Sequence, residues 1–208
     1  MVYDLSHTLG KDTMPYPGAA KPELKVAATM EANHYRETLI NMLSHAGTHM
    51  DAPAHMLKDG AYLDTLPAER FCGRAYVMDC TGFGGDEEIP LSALPALEGL
   101  DFLILSTGLE AYWGDERYYG RYPLLSHEAA DAVAESTLSG VGIDTMSVDA
   151  MDSRDYYVHR RLFSAGKVII ENLCNLEVLR GKYADICALP LKYENADGAP
   201  VRVAAFAD

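Results

Sequence analysis

One stretch dominates this chain: Ser44-His45-Ala46-Gly47-Thr48-His49-Met50-Asp51-Ala52-Pro53-Ala54-His55. It holds three of the seven histidines and an aspartate between His45 and His55. Imidazole nitrogens together with a carboxylate oxygen form the ligand set of catalytic divalent metals, zinc above all. Structural zinc sites are instead rich in cysteine, and this stretch contains none. The stretch therefore predicts a catalytic metal site.

The glycine and the proline in this stretch favour a turn followed by extended chain. On a helix, His45 and His49 would lie one turn apart, as in zinc proteases. Gly47 is a poor helix former, however, and Pro53 removes a backbone donor shortly afterwards. We therefore expect a strand that ends near Leu43 and a turn at Gly47, with His45 reaching the site from the other side of that turn. Extended chain places alternate side chains on one face, and the residues expected to share it are His49, Asp51, Pro53 and His55.

Two residues far along the chain are the best candidates to complete the site. Glu171 ends the apolar run Lys167-Val168-Ile169-Ile170. A carboxylate at the end of an apolar strand is a buried charge, and a buried charge needs a partner. His159 lies on a short helical segment directly after the charged loop Asp152-Ser153-Arg154-Asp155. A metal ion would be the partner of both side chains.

Short apolar, β-prone runs alternate with Gly- and Pro-rich turns along the chain. The predicted strands are 24–30, 37–43, 74–80, 102–107, 141–147, 168–171, 184–193 and 201–206, the last two pairing as a hairpin. Helices are fewer: one is capped by Ser126, one runs from Tyr156 to Ala165 and stops at Gly166, and one or two turns span 175–179. No repeat or linker divides the sequence. We predict a single α/β domain over 1–208, with mixed layered sheets and few helices.

Composition and charge restrict the partners. The 208 residues fit one domain with a sizeable core, and the net charge is −14. So acidic a protein is a poor match for phosphate backbones and anionic lipids, which argues against nucleic-acid and membrane partners. No signal peptide is visible. The four cysteines form no C-x-x-C pair and are expected to be reduced core residues. We expect a cytoplasmic protein that acts on a small molecule.

The pattern His45-x-Gly47-Thr48-His49-x-Asp51-x-Pro53-x-His55 resembles the signature of the cyclase-like metal-dependent hydrolases, a family that includes bacterial kynurenine formamidase and isatin hydrolase. Further similar segments are Asp4-Leu5-Ser6-His7 with Pro15-Tyr16-Pro17-Gly18, Gly142-Ile143-Asp144 with Ser147-Val148-Asp149, and His159 with Val168-Ile169-Ile170-Glu171-Asn172-Leu173. The resemblance therefore covers nearly the whole chain. It implies an α/β fold in a swivelling β/β/α arrangement. The family is usually oligomeric, so a homodimer or homotetramer is expected.

The resemblance also implies the ligands of the metal. His45, His49 and Asp51 match the ligands of a first ion. His159 matches a ligand of a second ion, and Asp51 and Glu171 match groups that bridge the two. Members of the family use one or two divalent ions. Zinc is the metal expected first here, and manganese is the alternative.

The activity implied by the resemblance is arylformamidase-like. A metal-activated water would cleave a formamide, a lactam or a cyclic imide-like bond of a small aromatic substrate, with His55 as the acid/base group. Tyr16 is the expected substrate-binding residue and stands where formamidases carry a tryptophan. Met56 stands where an aromatic residue commonly follows the motif. The alternative is a non-haem iron oxygenase, because two histidines and a carboxylate also hold Fe(II) with open positions.

Overall fold

β-Structure predominates in the computed structural model, which describes residues 1–207. In that range the strands, numbered along the chain, are β1 (Val2–Asp4), β2 (Glu23–Ala28), β3 (Glu37–Asn41), β4 (His49–Asp51), β5 (Cys72–Asp79), β6 (Glu88–Ile89), β7 (Phe102–Ser106), β8 (Leu124–Leu125), β9 (Gly140–Ile143), β10 (Val168–Glu171), β11 (Lys182–Pro190) and β12 (Gly198–Phe206). The α-helices are α1 (Met30–Asn33), α2 (His127–Glu135) and α3 (Tyr157–Ser164). Short 3-10 helices span Pro53–His55, Leu63–Thr65, Ala68–Phe71, Leu91–Ala93, Leu109–Tyr112, Glu116–Tyr119 and Glu177–Leu179.

Seven of the strands close into a barrel. β5, β7, β9 and β10 lie side by side in that order and are parallel. β4 is antiparallel to β10 and pairs on its other side with β12, β12 pairs with β11, and β11 pairs with β5. β1 extends the antiparallel half by pairing with β12. Closure satisfies the backbone groups that an open sheet would leave unpaired at its edges.

Side chains of the parallel strands alternate between two cores. In β7, Phe102 and Ile104 join the cluster that fills the barrel, which also contains residues of β11 and β12. Their neighbours Leu103 and Leu105 join a second cluster with residues of α2 and α3. Alternation of this kind follows from the two-residue period of a strand. Antiparallel strands, parallel strands and helices thus form successive layers, which confirms the predicted α/β fold with few helices.

The predicted strands all exist, with changes at their ends. β10 has the predicted bounds, whereas 201–206 is the second part of a strand that begins at Gly198. The strand predicted over 141–147 ends at Ile143, because the next carboxylate, Asp144, accepts hydrogen bonds from the backbone of Thr107 and Gly108 in a turn. The strand predicted to reach Met30 stops at Ala28, because Thr29 caps α1 and the helix begins at Met30.

The helix predictions are confirmed for the two longer helices. The hydroxyl of Ser126 accepts a hydrogen bond from the backbone of Ala129 and caps α2. α3 ends just before Gly166, which has a φ of +72°. The turns expected over 175–179 reduce to the 3-10 helix Glu177–Leu179. Among the described residues, no helix combines the length and the apolar character that crossing a membrane requires.

All four cysteines carry free thiols. Cys80 and Cys174 are buried, as the sequence predicts for core residues. Cys72 and Cys187 are only partly buried and face each other across β5 and β11, with their Sγ atoms 2.6 Å apart. Two of the four cysteines therefore lie opposite each other on neighbouring strands and are only partly buried, although the sequence indicated core positions.

Candidate metal centre

Strands β4 and β10 place three ligand-type side chains on one side of the sheet. His49 and Asp51 are two positions apart on β4 and therefore share a face. Glu171, the last residue of β10, lies directly opposite His49 in the antiparallel register. All three side chains are buried, while Met50 and Ile170 between them fill the barrel. The carboxylate predicted at the end of the apolar strand is thus buried beside the imidazole of His49 and beside a second carboxylate, that of Asp51.

The first cluster consists of His45, His49 and Asp51. The Oδ1 atom of Asp51 lies 2.6 Å from Nδ1 of His45 and 3.2 Å from Nε2 of His49. One ligand atom from each residue falls within 4.8 Å of the others. The turn at Gly47, with a φ of +66°, brings His45 back to this point. The structure therefore brings the three motif residues together.

The second cluster consists of Asp51, His159 and Glu171. Nε2 of His159 lies 3.2 Å from Oε1 of Glu171 and 3.7 Å from Oδ2 of Asp51. These atoms also fall within 4.8 Å of one another. Asp51 thus gives one oxygen to each cluster, and the second oxygen of Glu171 lies 3.5 Å from Nε2 of His49. The two remote candidates reach the motif, and two carboxylates stand between the clusters.

Each histidine of the clusters has its far ring nitrogen held by an acceptor. Nδ1 of His49 lies 2.8 Å from the carbonyl oxygen of Gly47, and Nδ1 of His159 lies 2.6 Å from Oδ2 of Asp149. Nε2 of His45 lies 3.0 Å from Oδ2 of Asp197. A proton on the far nitrogen leaves the near nitrogen with a free lone pair facing the cluster. Histidines that bind metals are held in this way, so the donor set fits a divalent cation.

Polar contacts tie the motif to the residue that follows Glu171. The hydroxyl of Thr48 donates to the carbonyl oxygen of Asn172 at 2.6 Å, and the Asn172 amide donates to the carbonyl oxygen of Gly47 at 2.9 Å. Asn172 has a φ of +56°, a conformation that asparagine tolerates better than most residues. The Thr48 hydroxyl also accepts a hydrogen bond from the backbone of His7. These bonds fix the turn of the motif against the end of β10.

The electrostatics of the two clusters favour a bound positive charge. Burial acts to raise the pKa of Asp51, but His49 and His45 hold it well below its usual value. Burial raises the pKa of Glu171, and the charge of Asp51 raises it further. Burial alone would lower the pKa of His45, yet Asp51 and Asp197 raise it to about 9. Protons supply the positive charge in the absence of a metal, and a cation would release them.

His55 reaches the site by a different route from the one predicted. β4 ends at Asp51, and Pro53 begins the 3-10 helix Pro53–His55, so the shared extended face stops before these two residues. Proline suits the first turn of a helix because it lacks an N–H to satisfy. The His55 ring still lies beside the first cluster, 4.0 Å from the ring of His45 between centroids. Burial lowers its pKa to about 4, and His45 and His159 act in the same direction.

A cavity of about 280 Å³ opens above the two clusters. Its floor contains the ligand-type residues and His55, and Tyr16 lies in its wall. The remaining lining residues are Met14, Met56, Met146, Ser147, Tyr156 and Asn172. Methionine side chains adapt their shape and make favourable contacts with aromatic rings. The cavity therefore combines a polar floor with apolar walls suited to a flat ring.

Three contributors were not assigned from the sequence. Asp149 holds His159 and also accepts from the backbone of α3. Asp197 holds His45. Tyr156 has a φ of +49° at the start of α3 and lines the cavity. A non-glycine residue in this conformation is strained, and such strain is common at functional sites. Trp113 lies outside this lining and stacks on His7.

The buried ring of His7 makes the stability of the fold depend on pH, independently of the two clusters. Its ring stacks on Trp113 with centroids 3.8 Å apart, and its Nε2 atom is buried with no hydrogen-bond partner among residues 1–207. Burial lowers the pKa of His7 from 6.5 to about 4. The folded protein thus keeps the ring neutral, while the unfolded chain binds a proton below its higher pKa. Stability is therefore lost as the pH falls from 6.5 towards 4.

The variant His7→Phe keeps the stack and removes the titration. Between about pH 7.5 and about pH 5, we expect the melting temperature of the wild type to fall by roughly 2–5 °C more than that of His7→Phe. Thermal denaturation of both metal-free proteins measures this difference. Titration of the clusters affects both proteins equally and cancels. An equal fall in the melting temperature of both proteins across this range would contradict the lowered pKa of His7.

A family model, curated relatives and a solved structure are similar to this chain over most of its length. Residues 3–150 match the model of the family described as "Putative cyclase". Kynurenine formamidase of Bacillus cytotoxicus is 30% identical over 202 residues, covering 96% of this chain and 94% of the relative. Kynurenine formamidase of Bacillus cereus is 30% identical over 200 residues, with the same shares covered. Isatin hydrolase A from Labrenzia aggregata superposes with a TM-score of 0.87 at 28% identity, covering 99% of this chain and 93% of that one.

Proposed function

The chain belongs to the cyclase family, and we propose that it is a metal-dependent hydrolase that cleaves the carbon–nitrogen bond of a small, non-peptide amide. The observation that carries this proposal is the pair of clusters that share Asp51 at the floor of the cavity. Each histidine of the two clusters has one ring nitrogen that points to its cluster, and the two buried carboxylates of Asp51 and Glu171 complete the donor sets. The named activities of the relatives, kynurenine formamidase and isatin hydrolase, are both consistent with this chemistry.

The side chains at the floor of the cavity have two different roles in hydrolysis, which are metal binding and proton transfer. When bound by His45, His49 and Asp51, a divalent cation supplies Lewis acidity towards water and the substrate carbonyl. His55 lies beside these ligands and faces the cavity. It takes a proton from the attacking water and delivers one to the departing nitrogen, which leaves poorly as an anion. The apolar side chains that line the cavity lower the local polarity, which strengthens the charge interactions at the floor.

We further propose zinc as the metal, with manganese as the alternative, and two ions at full occupancy. Zinc accepts imidazole and carboxylate ligands together, whereas manganese favours oxygen donors. The first cluster offers two nitrogens and the second offers one, so the first is the better zinc site. The two oxygens of Asp51 point to different clusters, which supports a bridging role between two ions.

The substrate that fits best is a small aromatic formamide or lactam. A volume of about 280 Å³ accommodates a small molecule with one or two rings. Tyr16 and Tyr156 offer ring faces, and the three methionines offer adaptable contacts. Tyr16 is therefore the proposed substrate-binding residue, and Met56 lines the same cavity in place of a second aromatic residue.

A panel of substrates tests this proposal. It contains an N-formyl arylamine, isatin, a saturated lactam of similar size and a short peptide. We expect hydrolysis of one or both aromatic amides and none of the peptide. Turnover of the peptide alone would contradict the proposal. Oxygen consumption with Fe(II), without hydrolysis, would favour the oxygenase instead.

We also propose that the chain assembles into a homodimer or a homotetramer through the hairpin of β2 and β3. These strands pair only with each other among the described strands. A lone two-stranded hairpin is marginally stable in water. The segment from β2 to just beyond β3 nevertheless exposes large apolar side chains, which are Leu24, Val26, Met30, Tyr35, Leu39, Ile40 and Leu43. A patch of this kind marks an interface, and a second copy presents the same patch in a self-complementary arrangement.

The double variant Val26→Asp/Leu39→Asp tests the interface. These residues are 73% and 57% exposed, so the fold of one chain tolerates the change. We expect the wild type to have the mass of a dimer or tetramer by light scattering and the variant to have half that mass or less. Val178→Asp, at a 43% exposed position outside the hairpin, is the control and should assemble normally. A monomeric wild type would contradict the proposal.

A cytoplasmic location completes the proposal. The buried cysteines Cys80 and Cys174 form no disulfide, and a reducing compartment keeps thiols in that state. The cysteine pair on β5 and β11 would be the first to oxidise elsewhere, because its sulfur atoms are in contact.

A further inference from the structure

We propose that Asp197 is a positioning residue for His45, and that the Asp197-Gly198 turn is therefore part of the metal centre. This inference rests on the proposed metal-dependent function. Asp197 lies 152 residues beyond His45, in the turn that joins β11 to β12. No ligand-type pattern marks it in the sequence.

The hydrogen bond between the two side chains selects one form of the imidazole. Nε2 of His45 lies 3.0 Å from Oδ2 of Asp197, and Nδ1 lies 2.6 Å from Oδ1 of Asp51. When Nε2 carries the proton and donates it to Asp197, the lone pair of Nδ1 faces the first cluster. A carboxylate behind a metal-bound histidine fixes its ring and increases its basicity. Asp149 makes the equivalent contact with His159, so each cluster has one such pair.

Gly198 provides the space for the ring. β12 pairs with β4 so that Gly198 lies opposite Asp51 and faces the same side. A Cβ atom at Gly198 would lie 2.3 Å from Cε1, 2.6 Å from Nε2 and 2.8 Å from Nδ1 of His45. These distances are too short for any side chain, so the ring packs flat against the glycine backbone. Asp197 and Gly198 thus fix the direction and the depth of one ring.

The turn is anchored independently of the histidine. The backbone of Ala52 donates to the carbonyl oxygen of Asp197 at 2.9 Å. The hydroxyl of Tyr193 contacts Oδ1 of Asp197 at 3.2 Å. On the outer side, Oδ1 of Asp64 accepts a hydrogen bond from the backbone of Ala196 at 3.1 Å. The carboxylate of Asp197 is therefore held in place before any metal binds.

Asp197 also lies close to the proposed proton carrier. Its Oδ2 atom is 3.9 Å from Nδ1 of His55, beyond hydrogen-bond distance. His45, His55 and Asp197 are close enough to hold a cation among themselves. The 2.6 Å contact of His45 Nδ1 with Asp51 favours the positioning role, because it already directs the other nitrogen of the ring to the first cluster.

Metal binding tests the inference separately from catalysis. Zn²⁺ affinity is measured by competition with a chromophoric chelator for the wild type, Asp197→Ala and Asp197→Asn. We expect a loss of affinity of about 10–100-fold for Asp197→Ala, with partial rescue in Asp197→Asn, whose amide oxygen still accepts a hydrogen bond. Asp64→Asn is the control, because Asp64 holds the same loop without touching a histidine. The Zn²⁺ affinity of this variant should stay within about 3-fold of that of the wild type. The metal-free melting temperatures of all variants show whether the fold is intact.

Two results would overturn the inference. One is wild-type affinity in Asp197→Ala and Asp197→Asn. The other is the loss of one bound ion per chain with unchanged affinity for the rest, because Asp197 would then be a ligand itself. A wild type that binds no Zn²⁺ or Mn²⁺ would instead refute the proposed function. Kinetics give a further readout, since a displaced His45 lowers kcat more than it raises KM.

Discussion

Asp51→Asn is expected to lower amide hydrolysis by about 10³–10⁴-fold, because it removes a negative charge shared by both clusters. The Asp51 carboxylate is 1% exposed and lies within 3.7 Å of three histidines. An amide in its place offers one oxygen and a donor N–H₂ group, which repels a cation. Both the bound metal and kcat should fall, and elemental analysis with steady-state kinetics measures the two effects.

Asp144→Asn is the matched control for Asp51→Asn. Asp144 is as deeply buried, but its carboxylate accepts hydrogen bonds from the backbone of Thr107 and Gly108. Its loss should lower the melting temperature without changing the metal content. Wild-type metal content and turnover in Asp51→Asn would contradict the assignment of the two clusters.

His55→Ala is expected to separate proton transfer from metal binding. His55 lies beside the first cluster but contributes no atom to the two donor sets that share Asp51. We expect full metal content and a decrease in kcat of about 10²–10⁴-fold, the range for removal of a general acid or base. Metal analysis and kinetics on the same preparation measure both quantities.

His127→Ala is the control for His55→Ala. His127 is exposed at the start of α2, where its ring stacks on Tyr157. Its replacement should change neither metal content nor kcat. Unchanged turnover in His55→Ala would refute the acid/base role, and a loss of metal would show that His55 is a ligand.

The sequence predicted the parts of the site that depend on local chemistry. Gly47 and Pro53 exclude a long helix, so a turn followed by a strand was the remaining conformation for His49 and Asp51. Glu171 was identified because a charge at the end of an apolar strand must have a partner. The predicted extended face was wrong beyond Asp51, because Pro53 starts a 3-10 helix and His55 approaches from there.

The other parts of the site and of the fold depend on pairings between distant strands, which no local sequence pattern shows. Asp197 and Gly198 belong to the site because β12 pairs with β4, which are far apart in the chain. The residues 195–198 carry no local pattern that shows which side chains they face. The exposed hairpin was likewise predicted as two strands, yet its isolation from the main sheet appears only in the fold.

The proposal of a metal-dependent hydrolase is tested most directly by removing divalent cations with a chelator. The hydrolysis rate of an N-formyl arylamine, or of isatin, is measured before and after this treatment. We predict that the stripped enzyme loses its activity while it remains folded. Stoichiometric Zn²⁺ or Mn²⁺ should restore the rate. A stripped enzyme that hydrolyses the amide as fast as the untreated protein would contradict the account.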